Sequence, residues 1–316
     1  MSPQIVVVGS LNVDLVIQTP RFPEPGETIT GRGFRQVFGG KGANQAAAAA
    51  RLGADTVLVG CVGGDASGAR YLENLAGLGL DVSHVRRDDQ AATGTAFILV
   101  DEGGENAIVL APGANARLSP RDVERARETI AAAAVLLVQL ETPLETVARA
   151  LEVARQEGTA TILNPAPAAR LSAELLACVD VLVPNQSEAS LLTGLPVSTL
   201  ADAFRAGEVL REHGAGSVIV TLGDRGALSV DGQGRLHAPA HAVDVVDTTA
   251  AGDAFCAALA VARAEGMGRE EGLRFANAAG ALAVTRFGAQ PSLPDRDEVK
   301  ALLAAGGAEE SGGREQ

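Results

Sequence analysis

Cysteine is scarce in this sequence of 316 residues, which contains three. Cys61, Cys178 and Cys256 lie far apart among apolar neighbours. Neither the close spacing of zinc ligands nor the paired spacing of a disulfide framework is present. The sequence therefore excludes a zinc module and a disulfide-rich secreted scaffold, and we expect buried, reduced thiols.

Positive charge is also in short supply, with 26 Lys and Arg against 39 Asp and Glu and a net charge of −13. Nucleic acids and anionic membranes require a basic face, so neither is expected as a partner. The N-terminus has no basic leader, its apolar run is broken by Asn12 and Asp14, and no segment is apolar for long enough to span a bilayer. We expect a cytoplasmic protein with one large core, or a core plus a small appendage.

Two common nucleotide-binding motifs are absent. A P-loop at Gly40-Lys41 fails because Gly42 follows the lysine, where Ser or Thr is required. The turn Gly9-Ser-Leu-Asn12 after the first apolar run lacks a G-x-G-x-x-G fingerprint. A P-loop NTPase and a nicotinamide-dependent oxidoreductase are therefore excluded.

Short β-branched runs alternate with amphipathic helical stretches along most of the chain. This pattern predicts an α/β fold with a doubly wound, mostly parallel sheet flanked by helices. Strands are predicted at 5–8, 56–60, 135–139, 161–164, 181–184, 217–221 and 241–246, and helices at 66–78, 120–132, 144–156, 200–213, 251–265 and 269–286.

Two segments break this alternation. Residues 13–37 and 93–110 contain turn residues and little helical period, so we expect them to form hairpin-like strands of a small sheet. The α/β core then comprises residues 1–12, 38–92 and 111–303. The last segment, 304–316, is rich in Gly and Glu and is predicted to be disordered.

The run Asp-Thr-Thr-Ala-Ala-Gly-Asp at 247–253 is the most informative motif. It places small residues and a carboxylate at a predicted strand-to-helix junction, where the free N–H groups of Ala250, Ala251 and Gly252 favour a negative guest such as a transferring phosphoryl group. Asp253 is then placed to take a proton from an attacking alcohol. An Asp that merely caps an ordinary helix is the alternative.

A second glycine-rich run, 38–45, opens another predicted helix with Lys41 and Asn44 on its first turn. Glycines at this point let a polyhydroxylated ligand approach the backbone. Polar and glycine residues also follow several predicted strands, at the edge where open α/β sheets bind ligands. They are Asn12, Asp14, Glu141, Asn164, Asn185 and Gly223.

These motifs, in this order over residues 5–303, resemble the ribokinase-like (PfkB) carbohydrate kinase family. The resemblance rests on the two glycine-containing motifs and on intermediate landmarks such as Gln139-Leu-Glu141 and Asn164-Pro-Ala-Pro167. It implies ATP-dependent phosphorylation of D-ribose at O5, with Asp253 as general base. A 2-deoxyribokinase or a nucleoside kinase of the same family is the alternative. A non-catalytic sugar-binding regulator is more remote because Asp253 and Gly252 are both present.

The resemblance also assigns roles by position. It implies that segments 13–37 and 93–110 form a lid over the sugar and pair into a homodimer, where surface hairpins with no gating role are the alternative.

The implied sugar-binding residues are Asn12, Asp14, Gly40, Lys41, Gly42, Asn44, Glu141 and Asp253. The implied ATP-binding residues are Asn185, Thr221, Gly223, Asp224, Gly226, Gly252 and Asn277. Glu188 is implied to act on Mg²⁺ through water. A K⁺ site is implied at Asp247, Thr249, Ala283, Arg286, Gly288 and Ser292, where a similar loop that needs no potassium is the alternative.

Overall fold

The computed structural model describes residues 4–312, with side chains described to residue 305. The strands are β1 (Gln4–Val8), β2 (Asn12–Gln18), β3 (Arg32–Gly39), β4 (Asp55–Gly63), β5 (Val85–Asp88), β6 (Gly94–Val100), β7 (Asn106–Ala111), β8 (Val135–Val138), β9 (Ala160–Leu163), β10 (Val181–Leu182), β11 (Ser217–Thr221), β12 (Ala227–Asp231) and β13 (Gly234–Ala238). The helices are α1 (Lys41–Arg51), α2 (Ala66–Gly77), α3 (Pro120–Arg125), α4 (Arg127–Ala132), α5 (Leu144–Glu157), α6 (Ala173–Leu176), α7 (Gln186–Thr193), α8 (Leu200–Glu212), α9 (Ala251–Ala264), α10 (Arg269–Ala283) and α11 (Arg296–Gly312).

Nine strands form the large sheet, in the order β13-β12-β11-β10-β9-β8-β1-β4-β5. Every pair from β11 to β5 is parallel, and only β12 and β13 are antiparallel additions at one edge. The chain winds outward from β1 in both directions, so the order reverses between β1 and β8. The predicted doubly wound α/β fold is confirmed, and this reversal is where such sheets bind ligands.

Helices cover both faces of the large sheet because its strands are apolar on both faces. Ile5 and Val7 of β1 pack into one buried cluster with residues of α1, α9 and α10. Val6 and Val8 pack into a second cluster with residues of α5 and α8. No helix in the described part of the chain is long and apolar enough to cross a membrane.

The lid is a separate four-stranded sheet in the order β3-β2-β6-β7. It is built from the two segments that broke the helical pattern, which confirms the predicted small sheet. Asp14 of β2 pairs with Ala96 of β6, and both are buried. Phe97, the next residue along β6, is 50% exposed and points to the opposite face. The lid therefore has one face toward the large sheet and one face outward.

Three local predictions were wrong. Residues 241–246 form no strand, because β13 ends at Ala238 and the alternating segment has no neighbour to pair with. The predicted helix 120–132 is interrupted at Ala126, which separates α3 from α4. Helix α11 continues to Gly312, since the Ala and Glu residues after 303 favour a helix more than the glycines oppose it. The rest of the predicted disordered tail, 313–316, lies outside the described residues.

Candidate active site

The loops after β1 and β8 meet at the point where the strand order reverses. The hydroxyl of Ser10 donates to Glu141 Oε2 at 2.6 Å, and the backbone N–H of Lys41 donates to the same oxygen at 3.1 Å. Asn12 Nδ2 lies 3.4 Å from it. The structure thus brings together three of the predicted sugar-binding residues, Asn12, Lys41 and Glu141. Ser10, which was not predicted, helps to hold them.

Asp14 presents a buried carboxylate with free acceptor capacity. Its side chain is 9% exposed, and within the described residues no protein donor bonds to it. Burial, and then the negative charges of Glu141 and Asp253, raise the pKa of Asp14 to about 7. A carboxylate without protein donors is suited to accept hydrogen bonds from ligand hydroxyl groups.

The glycines at the start of α1 permit close contact with the loop after β1. Gly40 caps the helix with φ 91°, and a Cβ there would lie 2.7 Å from the backbone nitrogen of Asn12. A Cβ on Gly42 would lie 2.5 Å from the backbone nitrogen of Ser10. Gly42 is buried against this loop, so the packing of α1 already requires glycine there. Gly40 is likewise buried against the loop, so packing within the protein accounts for both glycines.

Asp253 lies in the first turn of α9 and is 6% exposed. Asn44 Nδ2 donates to its Oδ2 at 3.0 Å, and Gln45 Nε2 donates to its Oδ1 at 3.0 Å. The carboxylate is therefore held from both sides by amides of α1. Asn44 was predicted as a sugar residue and Gln45 was not predicted at all. The buried Oδ1 of Asn44 has no protein partner within the described residues and remains available to a ligand.

The start of α9 has the features of an anion site. Ala250, its N-cap, has φ 61° and is the one non-glycine residue of the described chain with positive φ. The N–H groups of Ala250 and Gly252 have no acceptor within residues 4–312. The N–H of Ala251 was predicted to be free, but it donates to Thr248 O at 3.3 Å. A Cβ on Gly252 would meet no atom within 4 Å, so protein packing does not require glycine there.

The Lys41 ammonium group stands among carboxylates. Burial alone lowers the pKa of Lys41, but the charges of Asp253, Glu141 and Glu188 outweigh it and leave the pKa raised. Lys41 is therefore a permanent positive charge between the sugar residues and the start of α7.

Several of the predicted nucleotide residues lie in and next to the turn after β11. Asn185 bridges to Thr221, and the turn after β11 contains Gly223 at φ 61° and Gly226 at φ 83°. A Cβ on Gly226 would lie 2.2 Å from Ala238 O, so close packing of the turn requires glycine. Asp224 in the same turn is exposed.

Asn277 has a structural role next to this turn. Its Nδ2 donates to Ala238 O at 3.0 Å and to Pro239 O at 3.2 Å, which ties α10 to the segment after β13. Its amide nitrogen is thus already engaged within the protein.

The residues assigned to Mg²⁺ fit an indirect role. Glu188 is 7% exposed, and its two oxygens accept from Asn185 N at 2.8 Å and Asn185 Nδ2 at 3.0 Å. Burial raises the pKa of Glu188. No group of three or more His, Cys, Asp or Glu side chains suited to a metal occurs in the described chain. Since Mg²⁺ retains several waters and needs few protein ligands, water-mediated contact with Glu188 suits this arrangement.

The residues assigned to K⁺ lie on two loops that the structure joins. Asp247 Oδ1 accepts from Thr249 N at 2.9 Å, while Asp247 Oδ2 accepts from Gly288 N at 2.8 Å. Val284 O accepts from the N–H groups of residues 246 and 247. The Arg286 side chain pairs with Glu298, so only its carbonyl is free to face a cation. Ala283 and Ser292 are buried beside these loops. Carbonyl oxygens with one carboxylate form a donor set that fits a monovalent cation.

The fold and the site define a class of protein, an α/β small-molecule kinase with a β lid. The site consists of a carboxylate at a helix N-terminus, a polar cleft under the lid, and the glycine-containing turn after β11. The sequence matches the profile of the pfkB family carbohydrate kinases over residues 2–296.

The relatives agree with this class. The chain is 43% identical to the ribokinase of Haemophilus influenzae, over 96% of this chain and 99% of that protein. It is 37% identical to the deoxyribokinase of Salmonella typhi, over 95% of this chain and 98% of that protein. The structure of Arabidopsis thaliana ribokinase complexed with ribose and ATP superposes with a TM-score of 0.89 at 37% identity, covering 96% of this chain and 99% of that one. The chain belongs to the pfkB family of carbohydrate kinases.

Proposed function

We propose that this kinase transfers the γ-phosphoryl group of ATP to O5 of D-ribose, giving D-ribose 5-phosphate and ADP. The observation that carries the proposal is the position of Asp253. Its carboxylate lies beside two open N–H groups of the α9 start and in the same cleft as Asp14 and Glu141. Relatives named ribokinase, one of them seen with ribose and ATP, support the choice of both substrates.

The chemistry follows from this placement. Asp14, Glu141 and Asn12 accept and donate hydrogen bonds to the sugar hydroxyls and orient the primary hydroxyl toward Asp253. Asp253 takes the hydroxyl proton as the O5–P bond forms. The bond between the γ-phosphorus and the bridging oxygen breaks, and ADP leaves with its electron pair. The N–H groups of Ala250 and Gly252 and the ammonium group of Lys41 stabilise the charge on the transferring group.

Two ions and a second subunit complete the proposal. Mg²⁺, when bound with the nucleotide near Glu188, neutralises phosphate charge. The two loops joined by Asp247 would hold K⁺, which would order the start of α9. The outward face of the lid pairs with that of a second copy.

Three free cysteines within the described chain suit a reducing compartment such as the cytoplasm.

A coupled ADP-release assay across ribose, 2-deoxyribose, fructose and adenosine tests the substrate. We expect the highest kcat/KM with ribose and little turnover of adenosine. A preference for 2-deoxyribose would instead favour the deoxyribokinase alternative, which the Salmonella typhi relative keeps open. Asp253→Asn serves as the control for chemistry and should lower kcat by about 10²–10⁴-fold. An absence of turnover with every sugar would leave a non-catalytic sugar-binding protein.

A further inference from the structure

A group of buried amides lies behind the proposed base. The side chains of Gln45, Gln139 and Asn164 are 0%, 1% and 8% exposed. Gln45 Nε2 donates both to Asp253 Oδ1 at 3.0 Å and to Asn164 Oδ1 at 3.2 Å. Gln139 Nε2 donates to Gln45 Oε1 at 2.6 Å. Because Gln45 is fully buried, it has no surface with which to contact a substrate.

The direction of every bond in this group is set by one backbone carbonyl. Asn164 Nδ2 donates to Val183 O at 3.0 Å, and a carbonyl can only accept. The oxygen of the Asn164 amide must therefore face Gln45. That oxygen can only accept, so it fixes the NH₂ group of Gln45 toward both Asn164 and Asp253. The oxygen of Gln45 is left to Gln139.

We propose that Gln45, Gln139 and Asn164 form a positioning relay that fixes the orientation of the Asp253 carboxylate for proton abstraction. The proposal rests on the proposed function, since it concerns the same base. The relay supplies one amide donor to Oδ1 and Asn44 supplies another to Oδ2, so each oxygen keeps a lone pair and the carboxylate plane cannot rotate.

Gln45→Met is the direct test, because methionine has a similar volume and no donor. We expect kcat to fall by about 10- to 100-fold, the effect of losing one charge-assisted hydrogen bond. The KM for the sugar should change by less than about threefold, since Gln45 does not reach the substrate.

Gln139→Met provides a second variant if Gln45→Met does not fold. Gln139 Oε1 is buried without a partner among the described residues, so this substitution also removes an unsatisfied atom. We expect a smaller loss of kcat, again with little change in the KM for the sugar. Thr146→Val is the matched control. It removes a buried hydrogen bond of 2.8 Å to Leu118 O, outside this group of amides, and should leave kcat unchanged.

A double-mutant cycle separates positioning from general stability. In an Asp253→Asn background, Gln45→Met should lower kcat no further, because the relay acts only through Asp253. Independent, multiplicative losses would overturn the relay. So would a Gln45→Met enzyme that behaves like Thr146→Val while the wild type phosphorylates ribose. If the wild type phosphorylates no sugar, the proposed function and the relay both fail.

Discussion

Burial of the Asp14 carboxylate lowers the stability of the native state, while it provides an acceptor for a ligand. Its pKa is raised to about 7 by burial and by neighbouring carboxylates, whereas an unfolded chain ionises this group near 3.8. The native state therefore retains a proton between these two pH values that the unfolded state has released. The contribution of Asp14 to stability falls as pH rises through this window, and the full penalty is present above about pH 7.

Asp14→Asn should therefore stabilise the ligand-free protein at about pH 8, by roughly 2–4 kcal/mol, because no charge has to be buried. The gain should largely disappear near pH 4, where Asp14 is neutral in the native state. The same variant should raise the KM for the sugar. Thermal unfolding at the two pH values checks this, with Asp55→Asn as an exposed control that should show neither effect. An equal shift in Tm at both pH values would contradict the argument.

At this scale the sequence predicted the charged residues of the site better than the amides that support them. Asp14, Glu141 and Asp253 stand in motifs or directly after predicted strands, and the structure brings them into one cleft. Gln45 was not predicted as a functional residue because it reads as one more residue of an alanine-rich helix. A signal was present: a glutamine is costly to bury without partners. Its partners Gln139 and Asn164, which directly follow β8 and β9, are distant in sequence and appear only with the fold.

At the start of α9 the backbone of Ala250 is strained, and the surroundings of Gly252 are open. Ala250 adopts a left-handed conformation that costs an L-residue roughly 1–2 kcal/mol. Gly252 has an ordinary helical backbone and open space around it. Nothing in the described protein explains the absence of a side chain at 252, whereas the proposed phosphoryl group in that space would explain it.

Gly252→Ala should consequently separate stability from catalysis. Alanine in a helix is favoured over glycine by about 1 kcal/mol, so Tm should rise or stay level. A methyl group in the open space should crowd the transferring group and lower kcat about 10-fold or more, with a smaller effect on the KM for ATP. Gly77→Ala, at a helical glycine with equally open surroundings in α2, is the control and should leave kcat unchanged. A loss confined to the KM for ATP would make the loop a binding element only.

The two loops joined by Asp247 lead to a prediction about potassium. Loop 283–292 also reaches the sugar side, because Gln290 Nε2 donates to Tyr71 OH at 2.8 Å and Tyr71 OH donates to Gly39 O. An ion between the loops should favour the arrangement in which the α9 N–H groups converge. Initial rates at fixed Mg²⁺ and constant ionic strength should rise saturably as K⁺ replaces Na⁺. Equal rates in the two salts would remove the ion from the mechanism.

Element boundaries were predictable where the pattern was long and regular, as in α2, α5 and α8. They failed where tertiary pairing decides the outcome. Residues 241–246 alternate like a strand, yet Val245 and Val246 are 65% and 62% exposed because no neighbouring strand is in reach. Conversely, β12 and β13 form because the turn at Gly226 folds the chain back against β11. Sequence periodicity alone does not show which partner is present.

At the scale of the whole molecule, the lid presents an apolar face to solvent. Strand alternation places Phe97 and its paired residue Val109 on the face opposite Asp14, and they are 50% and 68% exposed. Phe34 on β3 is 64% exposed. An apolar outer face and two unpaired edge strands are unfavourable when a monomer exposes them to solvent. A second copy of the same lid offers a complementary apolar face, and a two-fold pairing of identical surfaces closes without leaving a further patch.

Phe97→Asp should therefore convert a dimer to a monomer, because two buried carboxylates would face each other across the two-fold axis. Sedimentation velocity of the wild type should give about twice the chain mass of 32.1 kDa, and the variant should sediment as a single chain. Leu191→Asp on α7, where an apolar side chain is 49% exposed far from the lid, should remain dimeric. Phe97 directly follows Ala96, whose side chain lies on the cleft-facing side of β6 with Asp14, so loss of the dimer should also loosen the lid and raise the KM for the sugar more than it lowers kcat. A wild type that sediments as a monomer, or a Phe97→Asp variant that stays dimeric, would remove the lid from the subunit interface.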